Sequence, residues 1–133
     1  LHLSLRRQRQ MCIRDRFPTD GTRWQVLTQQ SMADGMMGAA LLARYESVLR
    51  PEALRWDGWI DGQLGKVRDG LALVEKHAAS LKGRLDIGVI TIGCALGYLD
   101  FRFPDLNWRD GHPATAAWYE AFSQRPSMQA TKP

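Results

Sequence analysis

An all-α fold, a single helical bundle, is what this sequence predicts. Two observations carry the prediction. Apolar residues recur at spacings of three and four through most of the chain, and period-2 alternation is almost absent. Helix start and stop signals punctuate those stretches at short intervals, among them Pro51-Glu52, Gly83, Asp86 and His112-Pro113. At 133 residues and 15.1 kDa the chain fits one compact domain, and 44% hydrophobic with 24% charged is ordinary globular composition.

The first element to place is the N-terminal segment. The formal charge of +4 would normally point to nucleic acid or an anionic membrane. All of that excess lies in residues 1–16, where Arg6, Arg7, Arg9, Arg14 and Arg16 face only Asp15, leaving 13 basic and 13 acidic residues beyond. Residues 6–16, RRQRQMCIRDR, resemble the translation of a transposase-based sequencing-library adapter, and Leu1-His2 fit its upstream codons with a variable index between. Residues 1–16 are therefore expected to be non-native and 17–133 to be the domain, with whatever preceded Phe17 missing. With Cys12 set aside, Cys94 is the lone thiol and no intramolecular disulfide is expected, which favours a reducing, cytoplasmic setting. No run reaches the roughly 20 apolar residues of a spanning helix, so no membrane partner is expected. The neutral body leaves no field to hold nucleic acid.

Four helices follow in order. The first is expected over about Thr22–Ser47, with Asp20 or Thr22 as cap and Trp24, Leu27, Ser31, Gly35, Gly38, Leu42 and Tyr45 as its buried stripe. The second is expected to start at Pro51, a favoured first helical residue, with Glu52 near the positive helix end. Its stripe is Trp56, Ile60, Leu64, Val67, Leu71, Val74, Ala78 and Leu81, opposite Arg55, Asp57, Lys66, Arg68, Asp69 and Lys76. Gly58, Gly62 and Gly65 share one face of it, and close backbone approach to Gly35 and Gly38 is the favoured reading, with a ligand cleft as the alternative. The third, Ile87–Leu99, is apolar all round and expected to be central, capped by Asp86. The last, His112–Gln124, carries Trp118, Ala121 and Phe122 on its buried side and ends at Pro126.

Catalytic constellations do not emerge. His77 and His112 lack partners at metal-ligand spacing, so no metal is expected. Cys94 reads as a buried small hydrophobe, with no cation near it to lower its pKa. Asp57 and Asp61 share a face but read as solvated surface, and no GxGxxG, Walker or GxSxG pattern occurs. Met32, Met36 and Met37 read first as core filler and second as a soft apolar pocket.

Several strings together resemble the C-terminal helical domain of bacterial glutathione transferases. RWQVLTQQSMADGMMGAALLARYE is similar to that family's fourth helix, RPEALRWDGWIDGQLGKVRDGLALVE to its fifth, DIGVITIGCALGYLDFRFPDLNWR to its sixth, and HPATAAWYEAFSQRPSMQATKP to its closing helix and tail. The resemblance covers nearly all of 17–133. It implies a helical bundle of that type, whose missing thioredoxin-like partner domain would bind glutathione and supply the thiolate-stabilising residue, so no catalytic residue is assigned here. It further implies a small electrophilic co-substrate bound at Met36, Met37, Ala40, Asp100 and Phe101, and a homodimer in the complete protein. The sequence departs from the family's capping box, since Val89 follows Asp86 at the third position, and Gly38 stands where related sequences carry Asp. The alternatives are a non-catalytic interaction module of the same fold and a free-standing helical ligand binder.

Overall fold

The computed structural model describes residues 16–132, and the expectation for residues 1–15 lies outside them. Five α-helices form the described domain: α1 (Arg23–Arg44), α2 (Asp57–His77), α3 (Ile87–Arg102), α4 (Pro113–Ser123) and α5 (Pro126–Ala130). No strand occurs among the described residues, so the all-α expectation holds. Helix α1 lies between α2 and α3 and packs against both, while α4 closes one end of the bundle. The core is one cluster, running from Ala33 and Met36 through Val67, Leu71, Ile92 and Leu96 to Trp118 and Phe122.

The α1 helix forms where expected but buries a different face. Val26, Ala33, Met36, Ala39, Ala40 and Ala43 point inward, whereas Trp24 is 75% exposed and Gly35, Gly38, Leu42 and Tyr45 also face outward. Alanine explains the reversal. A helix flanked on two sides needs short side chains to let both neighbours approach, and a stripe of methyl groups supplies them. The bulkier stripe is left on the outside. Helix α1 ends in a π turn, Tyr45–Leu49, where Ser47 Oγ donates to the Ala43 carbonyl oxygen (2.8 Å) and bends the chain.

Helix α2 starts six residues later than Pro51 suggested. Glu52–Leu54 makes one 3₁₀ turn, Arg55 and Trp56 are extended, and the α-helix begins at Asp57. The cause is Glu46, whose Oε1 accepts from the Trp56 N–H (2.9 Å) while its Oε2 pairs with Arg50 (3.0 Å). A buried carboxylate seeks such partners, and Trp56 is drawn into an extended conformation to serve it. Beyond that point the expected stripe is correct, with Val67, Leu71, Val74, Ala78 and Leu81 buried. The glycine expectation fails. A Cβ placed on Gly35, Gly38, Gly62 or Gly65 meets nothing within 4 Å, and the close approach of α1 to α2 is instead at Gly70, where a Cβ would sit 2.5 Å from Met36 Cγ.

Helix α3 begins as expected, Asp86 Oδ1 accepting from the Val89 N–H at 3.2 Å. Its second carboxylate oxygen accepts from Arg84 Nε (2.8 Å), and Arg84 Nη2 donates to Gln29 Oε1 of α1 (2.8 Å), so an arginine fixes the capping carboxylate and ties the start of α3 to α1. The helix is not buried all round. Cys94 and Phe101 are exposed, which corrects the reading of Cys94 as a buried hydrophobe. Helix α4 takes its N-terminal support from α2: the Glu75 carboxylate accepts from the Ala114 N–H (3.0 Å), the Thr115 N–H (2.8 Å) and the Thr115 hydroxyl (2.7 Å). Trp118 stacks on Phe122 with ring centroids 4.8 Å apart, and Gly93 leaves the space Phe122 fills. Ala121, expected inside, is exposed, and Pro126 both follows the end of α4 and opens α5.

Candidate functional site

The C-terminal end of α3 meets the turn after it and the tail. Asn107 adopts a left-handed conformation (φ 44°) that turns the chain back after the 3₁₀ segment Pro104–Leu106, and Trp108 tucks under the helix. A carboxylate fixes this turn. Asp100 Oδ1 accepts from the Trp108 indole N–H (2.7 Å) and from Arg109 (2.6 Å), and its Oδ2 takes a second Arg109 bond (2.8 Å). The guanidinium also lies over the Trp108 ring at 4.4 Å, so Arg109 is held by a bidentate pair and an aromatic face together. His112 Nδ1 and the Trp108 carbonyl oxygen, 2.6 Å apart, tie the turn to the start of α4.

Above this turn opens a cavity of 660 Å³, in the size range of small-molecule sites. Cys94, Tyr98, Asp100, Phe101, Tyr119 and Met128 contribute to its wall. Phe101 is 48% exposed, with the Arg102 guanidinium 4.0 Å above its ring. The protonation states are those of a binding surface. Burial pushes the Tyr119 hydroxyl up, and the nearby Asp100 carboxylate adds to the shift. Burial likewise raises the Cys94 thiol, and the hydrogen bonds Arg109 donates to the Asp100 carboxylate hold its guanidinium firmly protonated. At neutral pH the cavity thus presents a phenol, a thiol and a compensated ion pair. It offers hydrogen bonds and apolar contact but no activated nucleophile. Among the described residues no cluster of His, Cys, Asp or Glu could hold a metal ion.

The five residues implied by resemblance fall into two groups. Asp100 and Phe101 line the cavity. Met36 and Ala40 are buried on the inward face of α1, Met36 against Gly70, and Met37 is half-buried against the same core. None of these three reaches the cavity wall.

Residues 57–121, from the start of α2 into α4, match the family model of the glutathione S-transferase C-terminal domain. The chain is 52% identical to a glutathione transferase family member from Pseudomonas fluorescens Pf-5, solved with bound S-(propanoic acid)-glutathione, at a TM-score of 0.85 over 88% of this chain. This domain belongs to the glutathione S-transferase family. A glutathione S-transferase from Methylobacillus flagellatus KT, solved with glutathione bound, is 32% identical over 89% of the chain, with a TM-score of 0.82. The uncharacterized GST-like protein YibF of Escherichia coli K12 is 30% identical over 107 residues, 78% of this chain. The chain spans 52% of YibF and 61% and 60% of the two solved transferases, so these glutathione S-transferases extend well beyond it.

Sequence reasoning missed Glu46, Glu75 and Tyr119. Glu75 had one local signal: α4 opens with Pro113 and carries no capping side chain of its own at His112, so its free N–H groups needed an acceptor from elsewhere. Tyr119 had none, because its importance depends on Gly97, where a Cβ would stand 2.9 Å from the hydroxyl.

Proposed function

We propose that this chain is the co-substrate-binding and dimerisation domain of a cytoplasmic bacterial glutathione transferase that conjugates glutathione to small electrophiles. The observation that carries the reading is the cavity at the end of α3, apolar at Tyr98, Phe101 and Met128 and braced by the Asp100–Arg109 pair. Its groups position a molecule and do not activate one, which suits a domain that receives the electrophile while a thioredoxin-like domain holds and ionises the thiol. Solved relatives carry glutathione or a glutathione conjugate, in keeping with glutathione as the second substrate.

Within this reading Asp100 and Phe101 act directly at the co-substrate. Met36, Met37 and Ala40 act one layer back, setting how α1 lies against the core. The outward apolar side chains of α1 and the following turn, Trp24, Leu42, Tyr45, Val48 and Leu49, supply a surface for a second copy. Residues 17–133 are the domain and 1–16 the adapter-derived segment. The test is kinetic. The full-length protein from the source locus should conjugate an aryl halide, and Phe101→Ala should raise KM for the halide several-fold with KM for glutathione unchanged. The 133-residue chain alone should show no conjugation above the blank. Turnover by that chain, or a Phe101→Ala effect confined to glutathione, overturns the assignment.

A further inference from the structure

We infer that Cys94 is a covalent capture site for α,β-unsaturated carbonyl compounds, its thiol adding to the β-carbon of an enone whose carbonyl oxygen is held by the Tyr119 hydroxyl. The inference rests on the proposed reading of the cavity at the end of α3 as a place for small electrophiles, and adds to it a bond formed on the protein itself.

The face of α3 that meets the cavity carries Cys94, Gly97, Tyr98 and Phe101, at helical spacings of three and four. Tyr119 reaches this face from α4. A Cβ on Gly97 would stand 2.9 Å from the Tyr119 oxygen, so glycine is what lets the phenol lie against the helix, within one turn of Cys94. The edge of Trp108 fixes the ring, with centroids 5.9 Å apart. Tyr119 is only 9% exposed, yet its oxygen opens onto the cavity and makes no hydrogen bond among the described residues. Asp100 does not take that proton, because its carboxylate is already engaged by the Trp108 indole and by Arg109. Burial and the Asp100 charge keep the phenol protonated, so it stands as a donor without an acceptor. A carbonyl oxygen entering the cavity supplies one.

The carbonyl oxygen and β-carbon of an enone are three bonds apart, a reach on the scale of the turn of helix that separates Gly97 from Cys94. An enone bound at Tyr119 therefore offers its β-carbon to the sulfur, while Tyr98, Phe101 and Met128 receive an apolar substituent. In the reaction the thiol gives its proton to water and the sulfur bonds to the β-carbon. The carbon–carbon π pair moves toward the carbonyl oxygen as an enolate, which the Tyr119 hydroxyl stabilises. Water then returns a proton to the α-carbon. The net change is addition of S–H across the double bond, with no oxidant, reductant or leaving group. Cys94 needs no lowered pKa for this, since proximity supplies rate and a thiolate of higher pKa is the stronger nucleophile.

The test incubates the full 133-residue chain with benzylideneacetone and, separately, with benzyl bromide, which has no carbonyl to hold, and follows the Cys94 and Cys12 peptides by mass spectrometry. The expected result is an adduct at Cys94 whose rate saturates with enone concentration. Tyr119→Phe should lower the ratio of the enone rate to the benzyl bromide rate at Cys94 about tenfold, the scale of one hydrogen bond. The inference is overturned by an adduct at Cys12 alone, by a Cys94 rate that stays linear in enone, or by an unchanged ratio in Tyr119→Phe. Its failure is distinct from that of the proposed function. A full-length protein that conjugates glutathione to the enone while Cys94 stays unmodified removes this inference alone. A saturable, Tyr119-dependent adduct in a protein that conjugates nothing upholds the capture site and removes the transferase reading.

Discussion

Replacing Glu75 by alanine should loosen the whole C-terminal end of the bundle. The side chain gives α4 three hydrogen bonds from α2, two to backbone N–H groups and one to the hydroxyl of Thr115, which is fully buried. A hydrogen bond to a charged group contributes about 1.5–3 kcal/mol, but the Ala114 N–H is near solvent and can be rehydrated, so the three do not sum. The loss worked from this geometry is about 2–3 kcal/mol, of which Thr115 accounts for the larger part because its two donors stay buried. For a domain of this size that lowers Tm by about 8–12 °C. Glu75→Gln keeps an acceptor oxygen and gives up the charge at the helix start, for about 1–2 kcal/mol. Urea unfolding followed by tryptophan fluorescence measures both. The pH dependence supplies a separate check. Burial pushes the Glu75 carboxyl up, but its Thr115 and Ala114 hydrogen bonds and the neighbouring His112 outweigh that, and its pKa lies below the ordinary glutamate value. A depressed folded-state pKa means the stabilisation is complete above the ordinary value and is lost as pH falls through the lowered one. The gap between parent and Glu75→Ala should stay constant down to about pH 5 and close below it. An alanine variant within about 0.5 kcal/mol of the parent, or a glutamine variant as damaged as the alanine one, would refute the argument.

Gly35→Ala and Gly62→Ala meet open space, and each should stabilise the chain by up to about 1 kcal/mol in the same unfolding assay. Gly88→Ala should do the reverse, costing about 1–3 kcal/mol, because the new Cβ would stand 2.8 Å from the Val26 backbone carbonyl oxygen, which cannot swing away. Asp100→Ala strands the indole N–H of buried Trp108 and should cost about 1–3 kcal/mol, with a shift in tryptophan emission that Asp105→Ala does not produce. Cys94 is exposed yet has a raised pKa, so alkylation by iodoacetamide should be slow at neutral pH and still climbing past the ordinary thiol pKa; a rate that levels off earlier would contradict the desolvation of that thiol.

What could be read in advance follows from how local each signal is. Asp86 capping α3, Pro113 opening α4 and the Val67–Leu81 stripe all depend on residues within a turn or two, and all stand as written. The inward face of α1 depends on something non-local, namely that two helices flank it. Its alanine stripe and its Trp24–Tyr45 stripe have the same period, and only the presence of neighbours on both sides selects the smaller one. The delayed start of α2 comes from Glu46, ten residues before Trp56, and no propensity scale contains that reach. Cys94 departs from expectation because the almost wholly apolar run 87–99 implies burial on every side, while the structure covers only part of α3. At the cavity, Asp100 and Phe101 entered through family resemblance, whereas the Arg109 clamp and the Tyr119 hydroxyl required coordinates.

The two glutamates have a consequence for the order in which the chain assembles. Glu46 holds the first N–H of the α2 start from the turn that ends α1, and Glu75 holds the first N–H groups of α4 from the last turn of α2. Each later helix is nucleated by a group that an earlier one must first put in place. Helix α4, at 11 residues, is too short to persist alone in water, so it can form only after α2 stands. A chain emerging from the ribosome would meet these supports in the right sequence, each before it is needed. In the finished protein the same dependence runs backward. The end that folds last opens first, and amide exchange should be quicker at α4 and α5 than at α1, whose two flanking neighbours leave it no independent way to open.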